Sequence, residues 1–275
     1  MKFDVIVTAG CSFTVGANIN NADKKWVGKP YTFTELLGKR LNLPTVNLGK
    51  PGGSNDRIVR KINDWILSNQ QYQYPLFLIG LSGITRFEYW SHTENKYYDI
   101  HLFDWADDYG DLEEYQKQLK TRLPRMLYPE ADVNILKNWV KASQFMFNVG
   151  ARRKQLASWI HMLNSHIKVN SGTAIFFNSL FDDLVGVKDK VNFLSFPIED
   201  KKLKVIDNDY RVRHTTLTDS WYHYLRQLHN AKYGDFESGS RSSVPPYGDY
   251  FCGGHPSPGG NIVIADLLEE KIKSL

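Results

Sequence analysis

The sequence predicts a single α/β domain in which helices cover both faces of a mainly parallel sheet, a three-layer α/β/α arrangement of the flavodoxin-like type. Three observations predict it. Short apolar segments have the pattern of buried strands, amphipathic helical segments alternate with them, and glycine-rich loops follow the strands. The chain has 275 residues, 42% of them hydrophobic, which is enough to bury a core of this size.

The strands are predicted from short apolar runs that contain almost no charge. The segments 3–8, 44–48, 76–81 and 172–178 are bounded by glycine, proline or polar residues. Strands that are apolar on both sides belong in the middle of a parallel sheet that helices cover.

The helices are predicted from apolar residues at helical spacing. Residues 31–41 carry such a stripe, a second helix is expected after the N-cap residue Ser54, and residues 134–166 are mainly helical. The last helix is the best marked, because Ser257 is a good N-cap and Pro258 suits the first turn. Its expected apolar face consists of Ile264, Leu267, Leu268, Ile272 and Leu275.

A long aromatic-rich segment, at about residues 89–150, separates the third predicted strand from the fourth. Its aromatic residues include Trp90, Tyr97, Tyr98, Trp105, Tyr109 and Trp139. We predict a partly helical insertion that packs over one end of the sheet, within one domain spanning residues 1–275. The aromatic side chains fit either core packing or a surface on which sugars stack.

Composition and charge argue against several classes of protein. The net charge is +4 and the charged residues are interspersed, so nothing favours a nucleic-acid partner. The two cysteines do not make a disulfide framework in a chain of this length. The sequence shows neither a signal peptide nor an apolar segment that would span a bilayer. We therefore expect a soluble, cytoplasmic protein without a membrane partner, and the lack of metal-ligand motifs predicts no metal and no cofactor.

Two residues near opposite ends of the chain have the chemistry of a nucleophile and its base. Ser12 follows the first predicted strand in the segment 10–14 (GCSFT), where a glycine permits a tight turn. A serine hydroxyl becomes nucleophilic when a base removes its proton. His255 lies between glycines and a proline immediately before the last helix, which suits a general base. Both residues are expected at the carboxyl edge of the sheet, where ligands of such folds bind.

A glycine pair, Gly52 and Gly53, follows the second predicted strand in the segment 49–55 (GKPGGSN). Backbone N–H groups without a nearby Cβ have room to stabilise an oxyanion or to bind a phosphate at a helix N-terminus. The Gly-Lys-Ser/Thr ending of a nucleotide P-loop is missing, so a nucleotide- or phosphate-binding protein is the weaker hypothesis.

In combination these segments resemble the SGNH, or GDSL-like, hydrolase family. The first motif is residues 10–14, with Cys11 where aspartate is commonest in that family. The second motif is residues 47–52 (NLGKPG), the third is 80–85 (GLSGIT), and the last is 255–260 (HPSPGG). The resemblance covers roughly residues 1–90 and 172–275, and the motifs follow the family order.

The resemblance implies an SGNH-type fold and an ester hydrolase that needs no cofactor. It makes Ser12 the nucleophile and His255 the base, and it assigns the oxyanion to the backbone N–H groups of Ser12 and Gly52. Cys11 is a less favoured nucleophile, because Ser12 holds the motif position. Cys11 and Cys252 otherwise fit small buried residues.

The sequence departs from the family pattern at two positions. The third motif normally carries an asparagine that donates to the oxyanion, and Ile84 or Thr85 stands in its place. Thr85, Ser82 and Asn55 are the alternative donors. The last motif normally has an aspartate shortly before its histidine, and the nearest upstream acid here is Asp249. The alternatives are a triad completed by Asp249 or a Ser–His dyad whose ring is held by a backbone carbonyl.

Two hypotheses on function follow. The first is a serine esterase that hydrolyses a small acyl ester, with O-acetyl groups on a carbohydrate as the favoured substrate because of the aromatic segment. The second is a catalytically weak or inactive protein on the same scaffold that binds a glycan or a protein partner. The sequence does not determine the oligomeric state.

Overall fold

The computed structural model of this protein describes residues 3–16, 32–102, 130–180, 188–198, 202–206, 212–216, 219–233, 249–252 and 255–275. In chain order, the strands and helices in these ranges are β1 (Val5–Ala9), α1 (Ser12–Val15), α2 (Phe33–Leu41), β2 (Thr45–Asn47), α3 (Asn55–Ser68), β3 (Pro75–Leu81), β4 (Arg86–Ser91), β5 (Lys96–His101), α4 (Glu130–Met146), α5 (Val149–Val169), β6 (Thr173–Asn178), β7 (Lys202–Ile206), β8 (Val212–Thr216), α6 (Trp221–Tyr233), β9 (Phe251–Cys252), β10 (His255–Pro256) and α7 (Pro258–Lys273).

The four predicted strands form one parallel sheet in the order β2-β1-β3-β6. Strands β1 and β3 are buried along their whole length, which explains why they are apolar at every position. Strand β2 is a short edge strand and is more exposed. The predicted parallel sheet is therefore confirmed, and the carboxyl ends of β1, β2, β3 and β6 share one edge.

Helices cover both faces of this sheet, so the predicted three-layer α/β/α arrangement is confirmed. Successive residues of a strand point to opposite faces. Accordingly, Ile6 belongs to the core under α2, α6 and α7, whereas its neighbour Val7 belongs to the core under α3 and α5. In β3, Leu78 likewise belongs to the same core as Ile6, and Phe77 to the same core as Val7.

Hydrogen bonds from side chains mark the predicted beginnings of two helices. The Ser54 hydroxyl accepts from the Arg57 N–H at the start of α3, and the Ser257 hydroxyl accepts from the Gly260 N–H at the start of α7. Pro258 occupies the first turn of α7, where its missing N–H costs nothing. These two N-caps are confirmed.

The prediction that residues 134–166 are mainly helical is confirmed, and the segment consists of two helices, because the Asn148 side chain accepts from the Ala151 N–H and begins α5 anew. Two local predictions were wrong in detail. A four-residue helix, α1, follows β1 where only a tight loop was expected. Leu275 lies beyond the end of α7 and is 47% exposed, so it is not part of the apolar face.

The segment predicted as a partly helical insertion also contains an antiparallel hairpin, β4–β5, which the sequence pattern did not reveal. Ile100 on β5 and Leu136 on α4 belong to a small core of their own. The division of the chain into one domain with an insertion stays a prediction. A second hairpin, β7–β8, and helix α6 were also not predicted. Among the described helices, none has the length and apolar character that crossing a bilayer requires.

Candidate active site

Ser12 is the first residue of α1 and lies directly beyond the carboxyl end of β1. The helix ends after one turn because Gly16 adopts a left-handed conformation with φ 71°. Ser12 is largely buried, with 8% of the residue exposed. No hydrogen bond joins its hydroxyl to another described side chain. The strand and the short helix together place a serine where a parallel sheet binds its ligands.

The first motif packs closely against the third, and this contact requires glycine at position 10. A Cβ on Gly10 would lie 2.0 Å from Thr14 Oγ1 and 2.9 Å from the carbonyl oxygen of Gly80. Both distances are shorter than any stable carbon–oxygen contact. Gly10 therefore allows the turn before Ser12 to lie against the end of β3.

Two hydrogen bonds join the second motif to the first, and a third holds the second motif itself. The Lys50 N–H donates to the Gly10 carbonyl at 3.1 Å, and the Asn47 side chain donates to the Thr14 carbonyl at 3.0 Å. The Asn47 side-chain oxygen accepts from the Gly49 N–H at 2.9 Å. Gly52, the expected oxyanion residue, has φ 74°, a conformation that favours glycine.

Asn55 connects the second motif to the third. Its amide nitrogen donates to the Ser82 carbonyl and its amide oxygen accepts from the Ser82 N–H, both at 2.8 Å. The amide nitrogen of asparagine carries two N–H groups, so one further donor remains on this side chain. The Ser82 hydroxyl accepts from the Arg86 guanidinium at 2.8 Å. Thr85 is half-buried, and its carbonyl accepts from the Leu102 N–H.

The last motif contacts the first motif through aromatic rings. The Phe13 ring lies 5.7 Å from the His255 ring, centroid to centroid, and 5.5 Å from the ring of the fully buried Trp221. Tyr222 contacts Phe13 from a third side, at 6.0 Å. Because Phe13 follows Ser12 in α1, the two ends of the chain meet at one edge of the sheet. The structure thus brings the four sequence motifs together.

The chain was also compared with solved structures. The chain is similar to GDSL-type hydrolases. It matches a GDSL-like lipase from Bacteroides thetaiotaomicron at 10% identity and a TM-score of 0.41, covering 99% of this chain and 89% of that one. It matches a psychrotrophic esterase from Pseudoalteromonas sp. at 9% identity and a TM-score of 0.39, covering 98% and 97%. A lipase/acylhydrolase from Enterococcus faecalis matches at 13% identity and a TM-score of 0.39, covering 98% and 96%.

No protein-family model and no curated protein matches the sequence. At TM-scores of 0.39 to 0.41 the structural likeness carries no argument about activity. The fold class therefore stands on the strand order and the two covered faces of the sheet, and the candidate site stands on its own geometry.

A close backbone contact sets the position of His255 in the last motif. His255 pairs with Cys252 in the two-residue strands β9 and β10. The Ser257 N–H donates to the Tyr250 carbonyl, and the Ser257 hydroxyl donates to the Asp249 carbonyl. A Cβ on Gly259 would lie 2.1 Å from that same carbonyl oxygen of Asp249. A glycine at the start of α7 thus lets the strand before His255 pack against the helix.

Gly259→Ala is expected to lower the free energy of unfolding by about 1–3 kcal/mol, because the backbone at Asp249 must move. The same displacement is expected to shift the His255 ring relative to Phe13. Thermal unfolding measures the first effect, and the NMR chemical shifts of the imidazole protons measure the second. The matched control is Gly150→Ala, where the nearest atom to the new Cβ is Asn148 Oδ1 at 3.3 Å. Equal behaviour of the two variants would show that the close contact does not position His255.

The Asp249 carboxylate, the candidate third member of a triad, is paired with the Lys232 ammonium group and is about half exposed. Nearby, burial lowers the pKa of His229, and the positive charge of Arg226 lowers it further. His229 packs against Phe251 of β9, the strand that leads to His255.

Sequence reasoning missed two buried charged residues that hold the motifs in place. Asp99 of β5 binds Lys50 and Ser54 on either side of Gly52. Arg152 of α5 binds Asp56 and the carbonyl of Ile84 in the third motif. Neither residue lies within a recognisable motif, and no local pattern in the sequence marks them.

Proposed function

We propose that this protein is a serine esterase that hydrolyses small acyl esters, with Ser12 as nucleophile and His255 as general base. The observation that supports it most directly is the contact between the Phe13 and His255 rings, centroids 5.7 Å apart. It brings a histidine from the end of the chain beside the residue that follows Ser12.

The reaction proceeds in two halves. Ser12 Oγ attacks the ester carbonyl while His255 takes the hydroxyl proton, and the tetrahedral intermediate then expels the alcohol, which receives that proton. Water, deprotonated by His255, next attacks the acyl-enzyme. The acid leaves, and the proton returns to Ser12. Asp249 is the candidate acid that orients the imidazole, and a Ser–His dyad is the alternative.

The oxyanion is stabilised by backbone N–H groups of Ser12 and Gly52 in this proposal. The left-handed conformation of Gly52 and the ties between the first and second motifs support it, because they hold both segments in fixed positions. The second N–H of the Asn55 amide is the candidate third donor, since its first N–H is bound by Ser82. The Thr85 hydroxyl is the further candidate.

A fluorophosphonate probe tests the nucleophile directly. Its phosphorus bonds to the attacking oxygen, fluoride leaves, and the hydroxyl proton passes to the base. We expect mass spectrometry to find the adduct on Ser12, and Ser12→Ala to abolish it. Ser179→Ala is the control, because Ser179 follows β6 and its fully buried hydroxyl has no hydrogen-bond partner among the described residues. Labelling that survives in Ser12→Ala, or no labelling of the wild type, would contradict the proposal.

The finer proposal is an O-acetyl ester of a carbohydrate. Trp90 and Tyr97 pair across the hairpin with ring centroids 4.7 Å apart, and Tyr97 is 41% exposed. Alternate residues of a strand point to the same side, so Tyr97 shares the face of Asp99, which binds the second motif. The Arg60 guanidinium lies 4.0 Å from the centre of the Tyr97 ring and covers one of its faces, so the other, partly exposed face is the one proposed to stack on a sugar.

Tyr97→Ala is therefore expected to raise KM for an acetylated oligosaccharide about three- to tenfold, which corresponds to the loss of one aromatic contact. The KM for p-nitrophenyl acetate, which has no sugar, is expected to stay unchanged. Tyr74→Ala is the control, because this exposed tyrosine immediately precedes β3, at the opposite edge of the sheet. A parallel rise of KM for both substrates would argue against sugar stacking.

The second candidate is a weak or inactive protein on the same scaffold that binds a glycan or protein partner. The pairing of the Asp249 carboxylate with Lys232 favours it, because this acid already has a surface partner. Background turnover of p-nitrophenyl acetate by the wild type, together with binding of an acetylated oligosaccharide that Tyr97→Ala weakens, would establish this candidate instead.

A further inference from the structure

We propose that Asp99, on strand β5 of the hairpin, is a positioning residue that holds the oxyanion segment of the second motif in place for catalysis. The proposal rests on the esterase function above. It gives the hairpin a role in the reaction, although the hairpin lies outside the four motifs.

One carboxylate binds both ends of the segment that carries Gly52. Asp99 Oδ2 accepts from the Lys50 ammonium group at 2.8 Å. Asp99 Oδ1 accepts from the Ser54 N–H at 2.9 Å and from the Ser54 hydroxyl at 3.0 Å. The Asp99 side chain is only 4% exposed, so water competes little for these bonds.

The Gly52 N–H direction depends on the residues on either side of it. Gly52 has a positive φ, and within the segment the Gly53 N–H donates back to the Lys50 carbonyl at 3.0 Å. Such a turn is compact, but its orientation toward Ser12 depends on the contacts of its two end residues, Lys50 and Ser54, with the rest of the protein. A displacement of about 1 Å at a catalytic group costs on the order of a hundredfold in rate, so Asp99 acts on the reaction through Gly52.

The same hairpin offers a matched control in Glu88. It lies directly opposite Asp99 in the β4–β5 register, and its side chain is 7% exposed. Glu88 binds the Arg60 guanidinium of α3 at 2.5 and 2.9 Å, and no described bond joins its side chain to the second motif. Glu88→Gln thus removes a comparable buried charge from the hairpin while leaving the contacts of Asp99 intact.

Steady-state kinetics with p-nitrophenyl acetate test the proposal. Asp99→Asn is expected to lower kcat about ten- to a hundredfold with KM nearly unchanged, because the oxyanion forms only in the transition state. Lys50→Met is expected to lower kcat by less, since both bonds to Ser54 remain. Glu88→Gln is expected to keep the wild-type kcat. Equal losses in Asp99→Asn and Glu88→Gln, or an unchanged kcat in Asp99→Asn, would overturn the proposal.

Hydrogen exchange separates this inference from the esterase proposal, because it needs no substrate. In Asp99→Asn the peptide spanning 50–54 is expected to exchange faster than in the wild type, and in Glu88→Gln it is expected to exchange at the wild-type rate. If the wild type turns over no ester, the esterase proposal fails, and faster exchange still shows that Asp99 holds the segment. Unchanged exchange in Asp99→Asn overturns the proposal in either case.

Discussion

Ser12→Ala is expected to lower kcat for p-nitrophenyl acetate by about 10³- to 10⁶-fold, and His255→Ala by a similar factor, because nucleophile and base act as one unit. The double variant is then expected to be no slower than either single variant. Removing the hydroxyl leaves no atom that forms the acyl-enzyme. Removing the imidazole leaves the proton of Ser12 without an acceptor. Steady-state rates at substrate saturation measure both effects.

Ser179→Ala is the control for the serine and is expected to keep the wild-type rate. Its hydroxyl is fully buried at the end of β6, and within the part of the chain that the structure describes it has no hydrogen-bond partner to lose. Additive losses in the double variant, or a rate for Ser12→Ala equal to that of the wild type, would show that the two residues do not share one reaction.

Asp249→Asn decides between the triad and the dyad. An orienting acid is worth about 10⁴-fold in a Ser-His-Asp triad. The exposed pair between Asp249 and Lys232 contributes little to stability, so a fall in kcat would report orientation of His255 rather than unfolding. An unchanged kcat would establish the dyad.

Arg152→Ala is expected to lower the free energy of unfolding by about 3–5 kcal/mol, the usual cost of breaking a buried ion pair. The Arg152 side chain is 8% exposed and pairs with Asp56 at 2.7 Å. It also donates to the Ile84 carbonyl at 3.3 Å, and its guanidinium lies 4.2 Å from the centre of the Phe87 ring. Alanine leaves the Asp56 carboxylate without its cation, with the Glu88 N–H as a remaining donor, and leaves the Ile84 carbonyl without this donor. Chemical denaturation measures the loss.

Arg40→Ala is the matched control for this stability effect. Arg40 pairs with Asp266 at the same distance, 2.7 Å, but its side chain is 31% exposed and that of Asp266 is 56% exposed. Exposed pairs contribute about 0–1 kcal/mol, because water and salt screen them. Similar losses in both variants would contradict a special role for the buried site around Arg152.

The sheet and its helix caps were predictable because they depend on neighbouring residues. Every residue of β3 is buried, as its continuous apolar run predicts. Ser257 and Pro258 begin α7 through interactions within its first turn. The hairpin β4–β5 was missed because its strands combine aromatic and charged residues. Glu88 and Asp99 look like solvent-facing residues in the sequence, but both side chains are nearly buried against cationic partners from elsewhere in the chain.

The amino-acid sequence alone was sufficient for the fold class, the order of the four strands along the chain, and the choice of Ser12 and His255 as candidates. Each depends on local composition, turn chemistry or a motif. Three contacts depend on the tertiary structure. The Phe13 ring contacts the His255 ring, and the Asp99 carboxylate binds Lys50 and Ser54 on either side of Gly52. Arg152 donates to the Ile84 carbonyl of the third motif. Those contacts join residues far apart in sequence, and their partners are selected by packing geometry that no local pattern encodes.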